Sequence, residues 1–244
     1  MSIKDISIIN NPNIKSPKPI QETMNIYIDG IPDYFPIKRN GAHWIIVGSG
    51  GSGKTSMLLN VVKKYFKGVF TNIYYFCPSA SFLSVKNHPL KNLPTIYHEI
   101  TVENLTEIYN ELIKQKEETN KNKESPEYNL VIIDDMANDL KNESIKKILN
   151  NMLIKSRHLQ TMFIFSLQAL VYLPKTLRRQ ITYFTIFKCK KNEWQHILEE
   201  LVHYKPDDAN KLYNFCFNEP YNHIDMDLIS SRFYLNFHEL NIKE

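Results

Sequence analysis

The sequence predicts an α/β fold of three layers, with helices on both faces of a mostly parallel sheet. Three observations carry it. Short runs that are apolar on both faces (Trp44–Val47, Leu130–Ile133, Met162–Leu167) read as strands buried on both sides. Segments of helical periodicity alternate with them. One of those strands runs through a glycine-rich loop straight into a helix.

Taken in order, residues 1–24 are polar, carry Pro17 and Pro19, and read either as an extended arm docking on a neighbouring subunit or as a tail. Residues 25–244 read as one domain, since 244 residues suit a single α/β unit. Strand-like character starts at NIYIDG, and after Pro32 and Pro36 comes HWIIVG. Beyond the glycine loop, Met57, Leu58, Val61, Val62 and Tyr65 recur at helical spacing. Asn72–Cys77 predicts a strand stopped by Pro78, and Thr95–Ile100 a further one. Val102, Leu105, Ile108, Tyr109, Leu112 and Ile113 mark an amphipathic helix with Thr101 as its N-cap. The charged stretch 115–126 reads as a solvated loop.

After the strand Leu130–Ile133, the residues Ile145, Ile148, Leu149, Met152 and Leu153 predict a helix. Tyr183–Phe187 predicts another strand, and Trp194, Ile197, Leu198 and Leu201 a short helix behind Asn192. His223 to Phe237 predicts a closing hairpin. No internal repeat is visible.

Bulk composition narrows the function. Thirty basic and 26 acidic side chains leave a formal charge of +4, which permits a nucleic-acid partner without requiring one. Cys77, Cys189 and Cys216 are scattered and odd in number, which suggests neither a zinc site nor a disulfide framework. The N-terminal residues lack the apolar core of a signal peptide, and no stretch reaches the roughly 20 apolar residues of a membrane span.

Gly48-Ser49-Gly50-Gly51-Ser52-Gly53-Lys54-Thr55 matches GxxxxGK[ST], between a buried strand and a helix as that motif requires. Glycines at 50, 51 and 53 let backbone amides turn towards phosphate oxygens, and the helix that follows aims its positive end at the same charges. Lys54 is expected to meet the β- and γ-phosphates, Thr55 to offer magnesium a hydroxyl, and Ser56 to complete the cradle. The strand ending in Asp134 and Asp135 brings carboxylates to the carboxyl edge of the sheet, where α/β ligands bind. Asp134 is expected to hold Mg²⁺, and Asp135 either to activate the attacking water as general base or to cap a turn. ATP and Mg²⁺ are therefore the expected cofactors of this P-loop NTPase.

Gln168 ends the strand MFIFSL, where it either senses the γ-phosphate or simply closes the strand. Arg157 and the LPKTLRRQ segment supply arginines that act either across a subunit boundary or as solvated charges; Arg178 is the leading candidate and Arg179 the weakest. A nucleotide kinase and a non-hydrolysing, nucleotide-gated assembly protein are competing readings. The segment from Gln168 to Glu193 does not look like a kinase lid, and no LSGGQ-like signature of ABC transporters is present.

Together GSGGSGKTS, LVIIDDM, SRHLQTMFIFSLQ and LPKTLRRQITYFTIFK resemble the genome-packaging ATPases of large eukaryotic DNA viruses and virophages, in the FtsK–HerA branch of P-loop motors. The resemblance spans about Trp44 to Lys188 and extends more weakly to Phe237. It implies a sheet in which the Gln168 strand lies between the P-loop strand and the Asp134 strand. It implies a pentamer or hexamer ring threading double-stranded DNA into a capsid at a portal or vertex, in the virion and the infected cell's cytoplasm. It gives Gln168 the sensor role and Arg178 the arginine after the LP segment. Many members of the wider branch carry Asp-Glu where this chain has Asp134-Asp135; the shorter Asp135 implies action through a second water. Candidate phosphate contacts are Lys63, Lys64 and Lys67, the lysines of 114–123, and Lys188, Lys190 and Lys191.

Overall fold

A computed structural model describes residues 26–122, 125–203 and 205–242. The predicted arm at 1–24 lies outside them. The strand expected at NIYIDG is reduced to one antiparallel bridge, Tyr27 to Arg39, because the turns around Pro32 and Pro36 allow only a short return of the chain.

From there the order is β1 (His43–Val47), α1 (Lys54–Lys64), β2 (Asn72–Phe76), α2 (Ser79–Ser84), β3 (Ile96–Tyr97), α3 (Val102–Asn122) and β4 (Asn129–Asp134). Then come α4 (Glu143–Lys155), β5 (Thr161–Leu167), α5 (Lys175–Arg178), β6 (Tyr183–Phe187), α6 (Lys191–Val202), α7 (Pro206–Cys216), β7 (His223–Asp227), β8 (Arg232–Leu235) and β9 (His238–Glu239).

The strands form one sheet in the order β3-β2-β4-β5-β1-β6-β7-β8-β9. Pairings from β3 through β6 are parallel, and β7 to β9 add antiparallel strands at one edge. The expected placement of β5 between β4 and β1 is therefore found. Every residue of β1, β4, β5 and β6 is buried, since helices cover both faces. Period-two alternation divides their side chains between two cores. Ile45, Val47, Val131, Ile133, Phe163 and Phe165 pack with α3, α4, α6 and α7. Trp44, Ile46, Leu130, Ile132, Met162 and Ile164 pack with Leu58, Val61 and Val62 of α1.

Caps explain several boundaries. Thr101 Oγ1 accepts from the amide of Asn104 (3.1 Å) while Asn104 Oδ1 accepts from the amide of Thr101 (3.0 Å), a reciprocal cap at the start of α3. Asn142 caps α4 by accepting from the amides of Ser144 and Ile145.

The expected loop at 115–126 is corrected. α3 continues to Asn122, because Gln, Lys and Glu are strong helix formers and need no apolar stripe to stay helical. Gln115 also anchors this end, accepting from Asn129 Nδ2 at the start of β4 (2.9 Å) and donating to Glu127. The strand foreseen over Thr95–Ile100 shortens to two residues. The closing hairpin is present as β7 and β8.

At the amino edge of the sheet, His43 joins three elements. Its Nδ1–H donates to the Gln180 carbonyl, leaving Nε2 to accept from the Ser156 hydroxyl at 2.9 Å. Burial holds its pKa down at about 4.

Candidate nucleotide site

The site is built where β1 ends and α1 begins. Gly48 has no room for a side chain: a Cβ there would stand 2.6 Å from Ser52 Oγ and 2.8 Å from Phe187 Cβ. Gly53, just ahead of α1, has φ 103°, a conformation that favours glycine. At Gly50 and Gly51 an added Cβ would meet nothing within 4 Å. Gly51 also has φ 75°, which favours glycine, whereas at Gly50 only open space adjoins the loop. The amides of Gly50, Gly51 and Gly53 donate to no backbone carbonyl among the described residues. They stand with the free amides of the first turn of α1, an arrangement suited to an anion.

Lys54 Nζ donates to the carbonyls of Gly48 (2.7 Å) and Ser49 (3.0 Å), which folds the ammonium over the loop. Burial draws its pKa below the usual lysine range, against the pull of Asp134 and Asp135. A triphosphate would replace those neutral acceptors with charged ones.

Two strands away, Asp134 Oδ2 accepts from Thr55 Oγ1 (3.1 Å) and from the Tyr75 hydroxyl (3.2 Å). Its other oxygen, Oδ1, is buried without a well-formed hydrogen bond, as is Ser166 Oγ beside it in register. Burial pushes the carboxyl of Asp134 above the usual carboxylate range, although the hydroxyls of Ser166, Thr55 and Tyr75 oppose it. Such an oxygen is costly unless a cation joins it. Mg²⁺ fits this pair: Thr55 and Asp134 are hard oxygen donors already in contact.

Asp135 follows immediately with φ 58°, a left-handed backbone that Asp tolerates and that ends the strand sharply. Its amide donates to Ser166 O (2.9 Å). Gln168 Nε2 donates to Asp135 Oδ1 at 3.2 Å, so the candidate base and the candidate sensor touch.

These groups line a single open cavity of ≈ 1210 Å³. Of the residues singled out in the sequence, Gly50, Gly51, Gly53, Lys54, Thr55, Ser56, Asp134, Asp135 and Gln168 line it together. Gly48, Ser49 and Ser52 belong to the same loop but are not among the lining residues. The two arginines are elsewhere. Arg157 lies at the amino edge, where its backbone packs on Gly41 ahead of β1. Arg178 Nη1 donates to both carboxylate oxygens of Glu200 on α6, at 2.9 Å each. Neither lines the cavity of its own chain.

The sequence reading missed Tyr75, which reaches Asp134 only because β2 pairs with β4. It also missed the far wall, formed by Phe187, Pro220, Tyr221, His223 and Phe237. An aromatic-rich stretch flanking β7 was the available signal.

Comparison with known proteins decides the family. The family model described as Poxvirus A32 protein matches residues 36–210, well over half of the chain. The chain belongs to the poxvirus A32 family. With that family come the viral genome-packaging ATPases, so ATP binding and hydrolysis are its chemistry. The match takes in the P-loop, both aspartates, Gln168 and both arginines.

Solved structures repeat the fold of this A32-family chain. B204, the DNA-packaging ATPase from Sulfolobus Turreted Icosahedral Virus, aligns with a TM-score of 0.55 at 15% identity, covering 84% of this chain and 99% of B204. The genome packaging NTPase B204 from Sulfolobus turreted icosahedral virus 2, in complex with ATP-gammaS, aligns at 0.51 and 16% identity, covering 80% and 95%. EssC (ATPases 2 and 3) from Geobacillus thermodenitrificans aligns at 0.57 and 15% identity, covering 84% of this chain and 41% of EssC. A search of curated protein sequences finds no match.

Proposed function

We propose that this chain hydrolyses Mg-ATP to translocate double-stranded DNA, without regard to sequence, into a viral capsid as a ring of five or six copies. The observation that carries the reading is the Gln168–Asp135 hydrogen bond. It couples the group placed to activate water to the end of β5, a strand buried along its whole length between β4 and β1.

The chemistry follows from the residues. The P-loop amides and Lys54 hold the phosphates and neutralise charge. Mg²⁺, held by Thr55 with Asp134 beside it, would draw further charge from the β- and γ-oxygens. Asp135 accepts the proton of the attacking water, directly or through a second water. Gln168 registers whether the γ-phosphate is present, because its amide is shared between Asp135 and whatever enters the cavity. Arg178 acts on the site of a neighbouring copy, since it lies off the cavity of its own.

Sequence-independent hold on duplex DNA needs cationic side chains. Lys63 and Lys67 at and beyond the end of α1, the lysines of 114–123, and Lys188, Lys190 and Lys191 are the candidates; Lys64 lines the nucleotide cavity instead. The capsid portal or vertex is the docking partner in this account, and the virion and the infected cell's cytoplasm its setting.

The test is ATP turnover with and without duplex DNA, alongside the native mass of the particle. The expected outcome is DNA-stimulated hydrolysis by five or six copies of the 28.7 kDa chain. Phosphate appearing on an added nucleoside, or a rate indifferent to DNA, would overturn it in favour of a kinase or a nucleotide-gated assembly protein.

A further inference from the structure

The catalytic side chains orient the nucleotide. Asp134, Asp135 and Gln168 stand at the ends of β4 and β5, on one side of the P-loop. The γ-phosphate belongs on that side, so the opposite end of the molecule runs towards β6 and β7. There the cavity wall is aromatic. Phe187 ends β6, and Pro220 and Tyr221 precede β7, whose first residue His223 pairs with Phe187. The Tyr221 ring overhangs the loop: its Cδ1 lies 3.4 Å from where a Cβ on Gly53 would be.

Two features of Tyr221 stand out. The side chain is 71% exposed, although it is large and apolar. Its backbone has φ 64°, an uncommon conformation for a non-glycine aromatic residue. The surroundings fix that conformation. Asn222 Nδ2 donates to Cys216 O (2.9 Å), and Asn222 Oδ1 accepts from Asn236 Nδ2 (2.8 Å). Asn236 Oδ1 in turn accepts from the His223 amide (3.0 Å), tying the loop to the β7–β8 hairpin. A strained, exposed aromatic at the rim of a nucleotide cavity, in a loop anchored through Asn222, is a platform suited to a flat ligand.

We propose that Tyr221 is the stacking surface for the nucleobase of the bound nucleotide. This rests on the reading of the cavity as a nucleotide site and adds what recognises the base end.

The test compares ATP with inorganic tripolyphosphate, each with Mg²⁺, in equilibrium binding to the full chain. Tyr221→Ala should weaken ATP by roughly five- to a hundred-fold, the range of base–aromatic stacking. Tripolyphosphate should stay within about two-fold, and Tyr221→Phe should bind ATP within about three-fold of the parent. An unchanged ATP affinity in Tyr221→Ala overturns the proposal. So does an equal loss for both ligands, which would make Tyr221 a support of the loop. A parent chain that binds neither ligand would overturn the nucleotide reading itself, an outcome distinguishable from both.

Discussion

Gln168 Nε2 donates to Asp135 Oδ1 across 3.2 Å, joining the residue that follows β5 to the one that follows β4. The strands pair through Asp134 and Ser166, so the contact is set by the sheet register and not by a mobile loop. Asp135→Asn keeps the left-handed backbone, which Asn also tolerates, but removes the proton acceptor. ATP binding should stay within about three-fold while turnover falls at least about a hundred-fold. Gln168→Ala should show the same pattern with a smaller loss of turnover. Nucleotide titration and single-turnover hydrolysis check both.

Asp134 sets function against stability. Its folded pKa is raised, so its stabilising contribution is full below the unfolded carboxylate pKa and is lost as pH rises through the folded value. Above that value the buried charge is a cost, which a bound cation would relieve. Asp134→Asn should therefore raise the Tm of the ligand-free protein by roughly 2–4 °C, the scale of about 1 kcal/mol in a chain of this size. The same variant should lose the gain in ATP affinity that Mg²⁺ brings. Calorimetry with and without Mg-ATP separates the two effects.

Arg178 is engaged within its own chain, its side chain only 16% exposed against Glu200. Arg178→Ala should cost about 1 kcal/mol of stability and block turnover while sparing ATP binding. Glu200→Gln weakens the same pair without removing the guanidinium and should keep turnover. Mixing Arg178→Ala with Asp135→Asn subunits should restore part of the rate, since each then supplies what the other lacks. If no mixture recovers, Arg178 does not act in trans.

His43 predicts an acid limb in stability. Its folded pKa is held at about 4, below its ordinary 6.5, so the unfolded chain binds the proton more readily. The neutral ring's contribution is complete above about 6.5 and is lost as pH falls towards 4. Tm should drop across that window, and the drop should be shallower in His43→Gln. Thermal melts at half-unit pH steps measure it.

The main strands and helices were legible because a sheet covered on both faces writes its strands as continuous apolar runs, and its helices as 3.6-residue stripes. The P-loop and Asp134-Asp135 were legible because their chemistry is local. The end of α3 was not, since Gln115 to Asn122 is polar all round and its helicity rests on propensity and a side-chain anchor to Asn129. α7 was passed over although Pro206, Asp207 and Asp208 form an N-terminal signature ahead of Ala209, Tyr213 and Cys216. Contacts made by folding left no local trace: Tyr75 to Asp134 and Arg178 to Glu200.

The most direct measurement is a crystal structure with ATP-gammaS and Mn²⁺, located by its anomalous scattering. The account predicts a metal peak about 2.1 Å from Thr55 Oγ1 with Asp134 bound to it directly or through one water, the γ-phosphate facing Asp135. A nucleotide seated away from Gly50–Thr55, or a metal remote from both Thr55 and Asp134, would contradict it.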